Sequence, residues 1–168
     1  ELSINGTAIG EFGQLAMCAS QLGVRAIFAA GELAFTAEAQ ALIPGIETVA
    51  GKRGTVPGRG DECSAEDYRT RNHGAVHLHP KRVAQMLRDG ARRAVLRAQA
   101  ESFGILPMTP PYRRILVLRQ TADAPRRYAI EKHPGDVCAL MNMGFDLKPM
   151  VDDMQLKKLL VAQHETSA

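Results

Sequence analysis

Apolar residues recur at helical spacing between positions 5 and 22. Ile9, Phe12, Leu15, Ala16, Ala19 and Leu22 fall on one stripe, which predicts a helix. Gly23 supplies a stop, because glycine takes the left-handed C-terminal conformation at little cost. Residues 24–30 form a short apolar run, the pattern of a strand buried on both faces. Thr36 reads as the cap of a short helix over 37–42, which Pro44-Gly45 ends. Residues 46–50 read as a second strand, and strand, helix, strand at this spacing predicts parallel pairing.

Residues 51–63 hold four Gly and one Pro in thirteen positions, so a loop is expected there, of a length that often serves a function or an interface. Ser64 and Asp67 have the spacing of a helix cap, and 75–78 reads as a short extended piece. Pro80 opens the clearest helix, since proline lacks only an N–H that the first turn leaves unbonded. Val83, Leu87, Ala91, Ala94, Val95 and Ala98 form its apolar stripe, with Arg88, Arg92, Arg93 and Arg97 on the wet side. Beyond Pro107 the pattern changes to strands joined by loops, with strands expected over 114–119 and 137–141 and a closing helix over 152–162. The fold class expected is α/β: a layered α/β/α arrangement with a mainly parallel sheet over 1–106, plus a small C-terminal α+β lobe over 107–168.

Composition narrows the function only a little. Of 168 residues, 45% are hydrophobic and 23% charged, enough for a real core, and the absence of Trp leaves that core to aliphatic side chains. A net charge of +3 is too small an excess to argue for nucleic acid. No run is long and apolar enough to span a membrane, and no secretory leader is legible. Cys18, Cys63 and Cys138 lie far apart, so neither a disulfide framework nor a cysteine zinc site is expected, and a cytoplasmic setting is the default.

Motifs that suggest chemistry are incomplete. Gly51-Lys52 fails as a phosphate loop because Ile46 stands where the motif needs Gly and Arg53 where it needs Ser or Thr. Arg59-Gly60-Asp61 matches an adhesion tripeptide, but its glycine is better read as a turn residue. His77 and His79 would share one face of a strand and could share a metal; the alternative is a structural role, with His79 capping the helix at Pro80. His73 and His133 are single loop histidines. Glu131, Asp136, Asp146, Asp152 and Asp153 have no spacing that fixes a carboxylate pair. The residues alone define a layered domain without a complete catalytic constellation.

Glu1-Leu2-Ser3-Ile4-Asn5, running into a small-residue helix, resembles a signature of the D-aminopeptidase family of zinc peptidases. Three more features follow in that family's order: the strand ending at Gly31, the stretch Pro44-Gly45-Ile46-Glu47-Thr48-Val49, and Leu78-His79-Pro80. The resemblance covers roughly the first hundred residues. It departs at Gly31-Glu32-Leu33, where the family has Gly-Asp-Asp, and at Lys52-Arg53, where the family has Lys-Glu.

The resemblance implies an aminopeptidase with two zinc ions that removes N-terminal residues, D-residues included, from short peptides. Glu1 is then the last metal ligand, and the other ligands and the catalytic His are expected upstream of residue 1, so the chain reads as a piece of a longer protein. Taken alone it is expected to be inactive. Asn5 is a candidate substrate contact, with helix capping as its alternative. The resemblance further implies a homo-oligomer, while the small net charge and the lack of a long apolar run lead to no nucleic-acid or membrane partner being expected. Two rival readings stay open: a non-catalytic peptide-binding or assembly module on the same fold, and a nucleic-acid or phosphate-binding domain using the Arg-rich helix at 80–98.

Overall fold

A computed structural model describes residues 1–150 together with Asp152, Met154, Gln155, Lys158 and Leu159. Most of the helix expected over 152–162 lies outside the described residues. The chain begins with a hairpin, β1 (Leu2–Ile4) and β2 (Thr7–Ala8), followed by α1 (Glu11–Gln21). Next come β3 (Phe28–Glu32), α2 (Leu33–Leu42) and β4 (Glu47–Gly54). After these run α3 (Ala65–Arg71), β5 (Ala75–His77) and the long α4 (Pro80–Ala100). The chain continues through β6 (Tyr112–Leu118), β7 (Arg127–His133), α5 (Val137–Asn142) and β8 (Lys148–Pro149).

Two sheets form. A three-stranded sheet runs β3-β4-β5, and a five-stranded sheet runs β2-β1-β6-β7-β8. The expected parallel pairing holds for β3 with β4. It fails for the larger sheet, which is antiparallel throughout. For β6 and β7 the reason is connection length: residues 119–126 join them without a crossover helix, which suits antiparallel neighbours. Strands from both sides of position 106 share this sheet, since Leu2, Ser3 and Ile4 pair with Leu116, Ile115 and Arg114.

Several local expectations are corrected. Residues 5–10 are not helical. Asn5 and Gly6 have φ of +46° and +84° and form the two-residue turn of the first hairpin, where both central positions need positive φ. Helix α1 starts only after Gly10, its N-cap. Thr36 does not cap α2: Glu32 does, accepting from the amides of Ala34 and Phe35, while the Thr36 hydroxyl donates to the Leu33 carbonyl inside the helix. The strand expected at 137–141 is α5, begun by Asp136, whose Oδ1 accepts from the Ala139 amide at 2.8 Å. The Ser64 cap and the Pro80 start are where the sequence places them.

One core joins the layers. Ile4, Ile9, Met17, Ile43, Leu106, Val137 and Leu140 belong to a single buried cluster that links α1, α2, α5 and the start of the large sheet. On the small sheet, α4 covers the face carrying Phe28 and Val49. Gly90 makes this close approach possible, because a Cβ there would stand 2.7 Å from Val49 Cγ2 and 2.9 Å from Phe28 Cε2. Gly90→Ala is therefore expected to destabilise the chain by about 1–3 kcal/mol through overpacking, read as a lower urea midpoint.

Charged clamps hold α4 in place. Arg97 bonds Glu47 at 2.8 Å and Glu101 at 2.7 Å, and Arg93 approaches Glu47 at 3.4 Å. The hydrogen bond from Arg97, aided by Arg93, holds the Glu47 carboxyl below its ordinary value. Glu32 is lowered too, first by the Gly54 amide and then by the amides at the start of α2. Because both folded-state values lie below the unfolded ones, their stabilisation is present above the ordinary glutamate value of 4.5 and is lost as pH falls through and below it. The melting temperature is expected to fall as pH drops from 6 towards 3, with a smaller loss in Glu47→Gln; a pH-independent melting temperature over that window would contradict this.

Candidate active-site cleft

Glu1 is fixed by its backbone. Its carbonyl accepts from the Val117 amide at 2.8 Å, so the residue continues the β1–β6 ladder. Its side chain enters a cleft of about 430 Å³ where the hairpin, the 59–61 loop and the end of β6 meet. The cleft also receives Glu38, Arg59, Asp61, Tyr68 and Arg119.

The Gly-rich loop is held over Glu1 by two arginines. Arg71 donates to the carbonyls of Pro57 and Gly58. Arg119 donates to those of Gly60 and Cys63 and stacks on the Tyr68 ring, 4.2 Å from its centroid. Gly58 and Gly60 flank Arg59 with φ of +79° and +68°, a conformation that side chains other than glycine's rarely adopt. This turn presents Arg59 to Glu1 with Nη2 and Oε2 at 3.0 Å, while Arg59 Nε lies 3.2 Å from Asp61 Oδ2. One guanidinium thus bridges two carboxylates. On the opposite wall Glu38 Oε1 accepts from the Gly10 amide at 2.9 Å and anchors the start of α1 to α2.

The Glu1–Arg59 pair is open to water, with side-chain exposures of 27% and 60%. Screening at such a site leaves an ion pair worth under about 1 kcal/mol. Arg59→Ala is accordingly expected to change stability by less than about 1 kcal/mol while freeing the Glu1 carboxylate, Asp61 keeping Arg119 at 3.8 Å; a loss of several kcal/mol on urea unfolding would contradict a weak surface link.

Asn5 sits at the far end of the hairpin and does not line this cleft. Its amide serves the crossing segment instead: Nδ2 donates to the carbonyls of Thr109 and Pro111, and Oδ1 accepts from the Arg113 amide. It does not cap α1, whose cap is Gly10. His77 ends β5 and His79 lies beyond it, so they do not share a strand face. His79 caps α4, its Nδ1 accepting from the Lys81 amide at 3.3 Å. Sequence reasoning did not select Arg59, Asp61 or Arg119. The signal was the Gly-Arg-Gly-Asp run, read there only for its turn.

A zinc ion needs about four protein or water ligands. Among the described residues no group of three or more His, Cys, Asp or Glu side chains is arranged to hold a metal. Glu1 and Asp61 converge, but on Arg59. The expectation that Glu1 is a metal ligand comes from the family resemblance, and among the described residues Glu1 is not joined into such a group.

None of the curated proteins matches the chain. Among solved structures it is similar to the zinc-dependent D-aminopeptidase DppA from Bacillus subtilis, described as a self-compartmentalizing protease, with a TM-score of 0.51 and 21% sequence identity. The match covers 77% of this chain and 36% of that one, so the chain spans about a third of the length of the solved protein. At this identity the likeness establishes a shared mixed α/β fold. The family model for D-aminopeptidases matches residues 1–133, most of the chain. The chain belongs to the D-aminopeptidase family of peptidases.

Proposed function

We propose that this chain is the C-terminal portion of a zinc-dependent aminopeptidase that hydrolyses N-terminal residues, D-residues among them, from short peptides, and that Glu1 is one of its metal ligands. The observation that carries the proposal is the setting of Glu1: a carboxylate at a strand end, its backbone locked to β6, its side chain opening into the cleft. Family membership and the zinc dependence of the solved relative support zinc as the cofactor; two ions in the complete protein is what the family resemblance implies. When bound, zinc supplies hydroxide near neutral pH and polarises the scissile carbonyl.

This chain's own residues would do three things. Glu1 would contribute one hard oxygen donor, suited to balancing the charge of a close metal pair. Arg59 would hold that carboxylate in place through a charge-assisted hydrogen bond and would have to release or share it when metal arrives. Asn5 would act by fixing the hairpin against 109–113, and so the direction from which Glu1 enters the cleft. A homo-oligomer belongs to the proposal, supported by the self-compartmentalizing description of the solved relative. A cytoplasmic setting belongs to it as well; among the described residues no helix is long and apolar enough to cross a membrane.

The alternative is a peptide-binding or assembly module without catalysis. The observation in its favour is that Arg59 already neutralises Glu1 and Asp61. The complete protein, assayed with L- and D-aminoacyl amides, separates the two. Release of the N-terminal residue that stops with a chelator and returns with zinc supports the peptidase. Peptide binding without turnover, in protein carrying no zinc, would establish the module.

A further inference from the structure

Cys18 and Cys138 are 120 residues apart in sequence, yet the fold brings them together where α1 packs on α5. The Cys138 thiol donates to the Cys18 carbonyl at 3.8 Å, which places the two cysteines side by side. A polar brace fixes the same two helices: Gln21 Nε2 donates to Asp136 Oδ1 at 2.8 Å, and the Val137 amide donates to Gln21 Oε1 at 2.6 Å. Both cysteines are half-buried, which leaves them within reach of a small reagent. The third cysteine, Cys63, belongs to the loop over the cleft and has no thiol neighbour among the described residues.

We propose that Cys18 and Cys138 are a redox-responsive pair that closes to an intrachain disulfide, clasping α1 to α5, when a small-molecule disulfide is the oxidant. In the first step the Cys138 thiolate attacks one sulfur of the oxidant, forming a mixed disulfide and expelling one thiolate. The Cys18 sulfur, on losing its proton, then attacks the Cys138 sulfur and expels the second. The protein loses two protons and two electrons, and the oxidant gains them as two free thiols.

Burial, followed by the hydrogen bond to Cys138, pushes the Cys18 thiol up to about 11. The resolving step is therefore slow near neutrality and accelerates as pH rises, which protects the pair from casual oxidation. Closure would join α1 to α5 across most of the chain. It would also steady the start of α1, where Gly10 meets Glu38 at the cleft.

The test uses oxidised glutathione as the probe, followed by intact-mass measurement and non-reducing peptide mapping. The expected result is a loss of two hydrogens, a Cys18–Cys138 linked peptide, and one remaining free thiol at Cys63. The cross-link should raise the melting temperature by at least about 5 °C, reversed by dithiothreitol, because it constrains a long loop of the unfolded chain. Cys63→Ser should keep both effects, and Cys18→Ser should lose both. Glutathione adducts without a linked peptide, a cross-link that involves Cys63, or an unchanged melting temperature after linkage would each overturn the proposal. The mapping is made on the unsubstituted chain, so its outcome does not depend on any variant folding.

Discussion

Arg114→Ala is expected to cost about 3–5 kcal/mol of folding free energy, because it breaks a buried ion pair from one side only. Arg114 and Glu131 are paired at 3.1 Å with side-chain exposures of 2% and 5%. Arg114 also donates to the carbonyls of Met141 and Met143, at 3.2 and 2.8 Å, and lies 4.2 Å from the centroid of the Phe145 ring. Removing it strands a buried carboxylate and takes the donor from two carbonyls at the end of α5. For a chain of this size the melting temperature should fall by about 10 °C. Lysine should not rescue it, because a single ammonium cannot reproduce the planar fork that reaches three acceptors. The double variant Arg114→Met, Glu131→Leu should recover most of the loss, since replacing both partners with apolar groups removes the uncompensated charge. An Arg114→Ala chain with an unchanged urea midpoint would contradict the assignment of this pair as the lock between β6, β7 and the α5 region.

In the complete protein, Glu1→Gln is expected to lower aminopeptidase activity by at least about 100-fold. Loss of groups that merely orient metal ligands costs about 10–100-fold, and a ligand itself should cost no less. Glutamine keeps the shape and the neutral acceptor oxygen but removes the charge that Arg59 and a metal pair would share. The fold should be indifferent, because the side chain is partly exposed and its ion pair with Arg59 is weak. A variant that keeps its melting temperature and loses turnover fits the proposal. Equal turnover in the two proteins would remove Glu1 from the machinery.

What the sequence made legible follows from where local chemistry is strong. The Pro80 start, the Ser64 cap and the β3–α2–β4 unit carry their own signals, and each is present, with β3 beginning only at Phe28, α2 already at Leu33 and β4 running on to Gly54 into the expected loop. The opening hairpin was hidden because Ile9 and Phe12 continue a helical stripe backwards across it. The Asn5-Gly6 pair, a strong turn signal, was the feature that outweighed that periodicity. Helix α5 is only six residues, too short for its period to separate it from a strand, and only its Asp136 cap tells them apart. Strand β7 alternates buried Ala129 and Glu131 with half-buried Tyr128 and Ile130 and exposed Lys132, and a buried glutamate breaks the apolar pattern a strand is recognised by. Its partner Arg114 comes from the strand beside it, so the compensation cannot be seen along the chain. The family signature singled out Glu1, which lines the cleft. Arg59, Asp61 and Arg119 were not singled out, because their meeting depends on a loop folding back over the first strand.

The zinc content of the purified complete protein, wild type beside Glu1→Gln at equal folded concentration, bears most directly on the reading of Glu1 as a metal ligand. Two equivalents of zinc per chain in the wild type, with weakened or lost binding in the variant, is the outcome expected. Equal zinc in both proteins would contradict it.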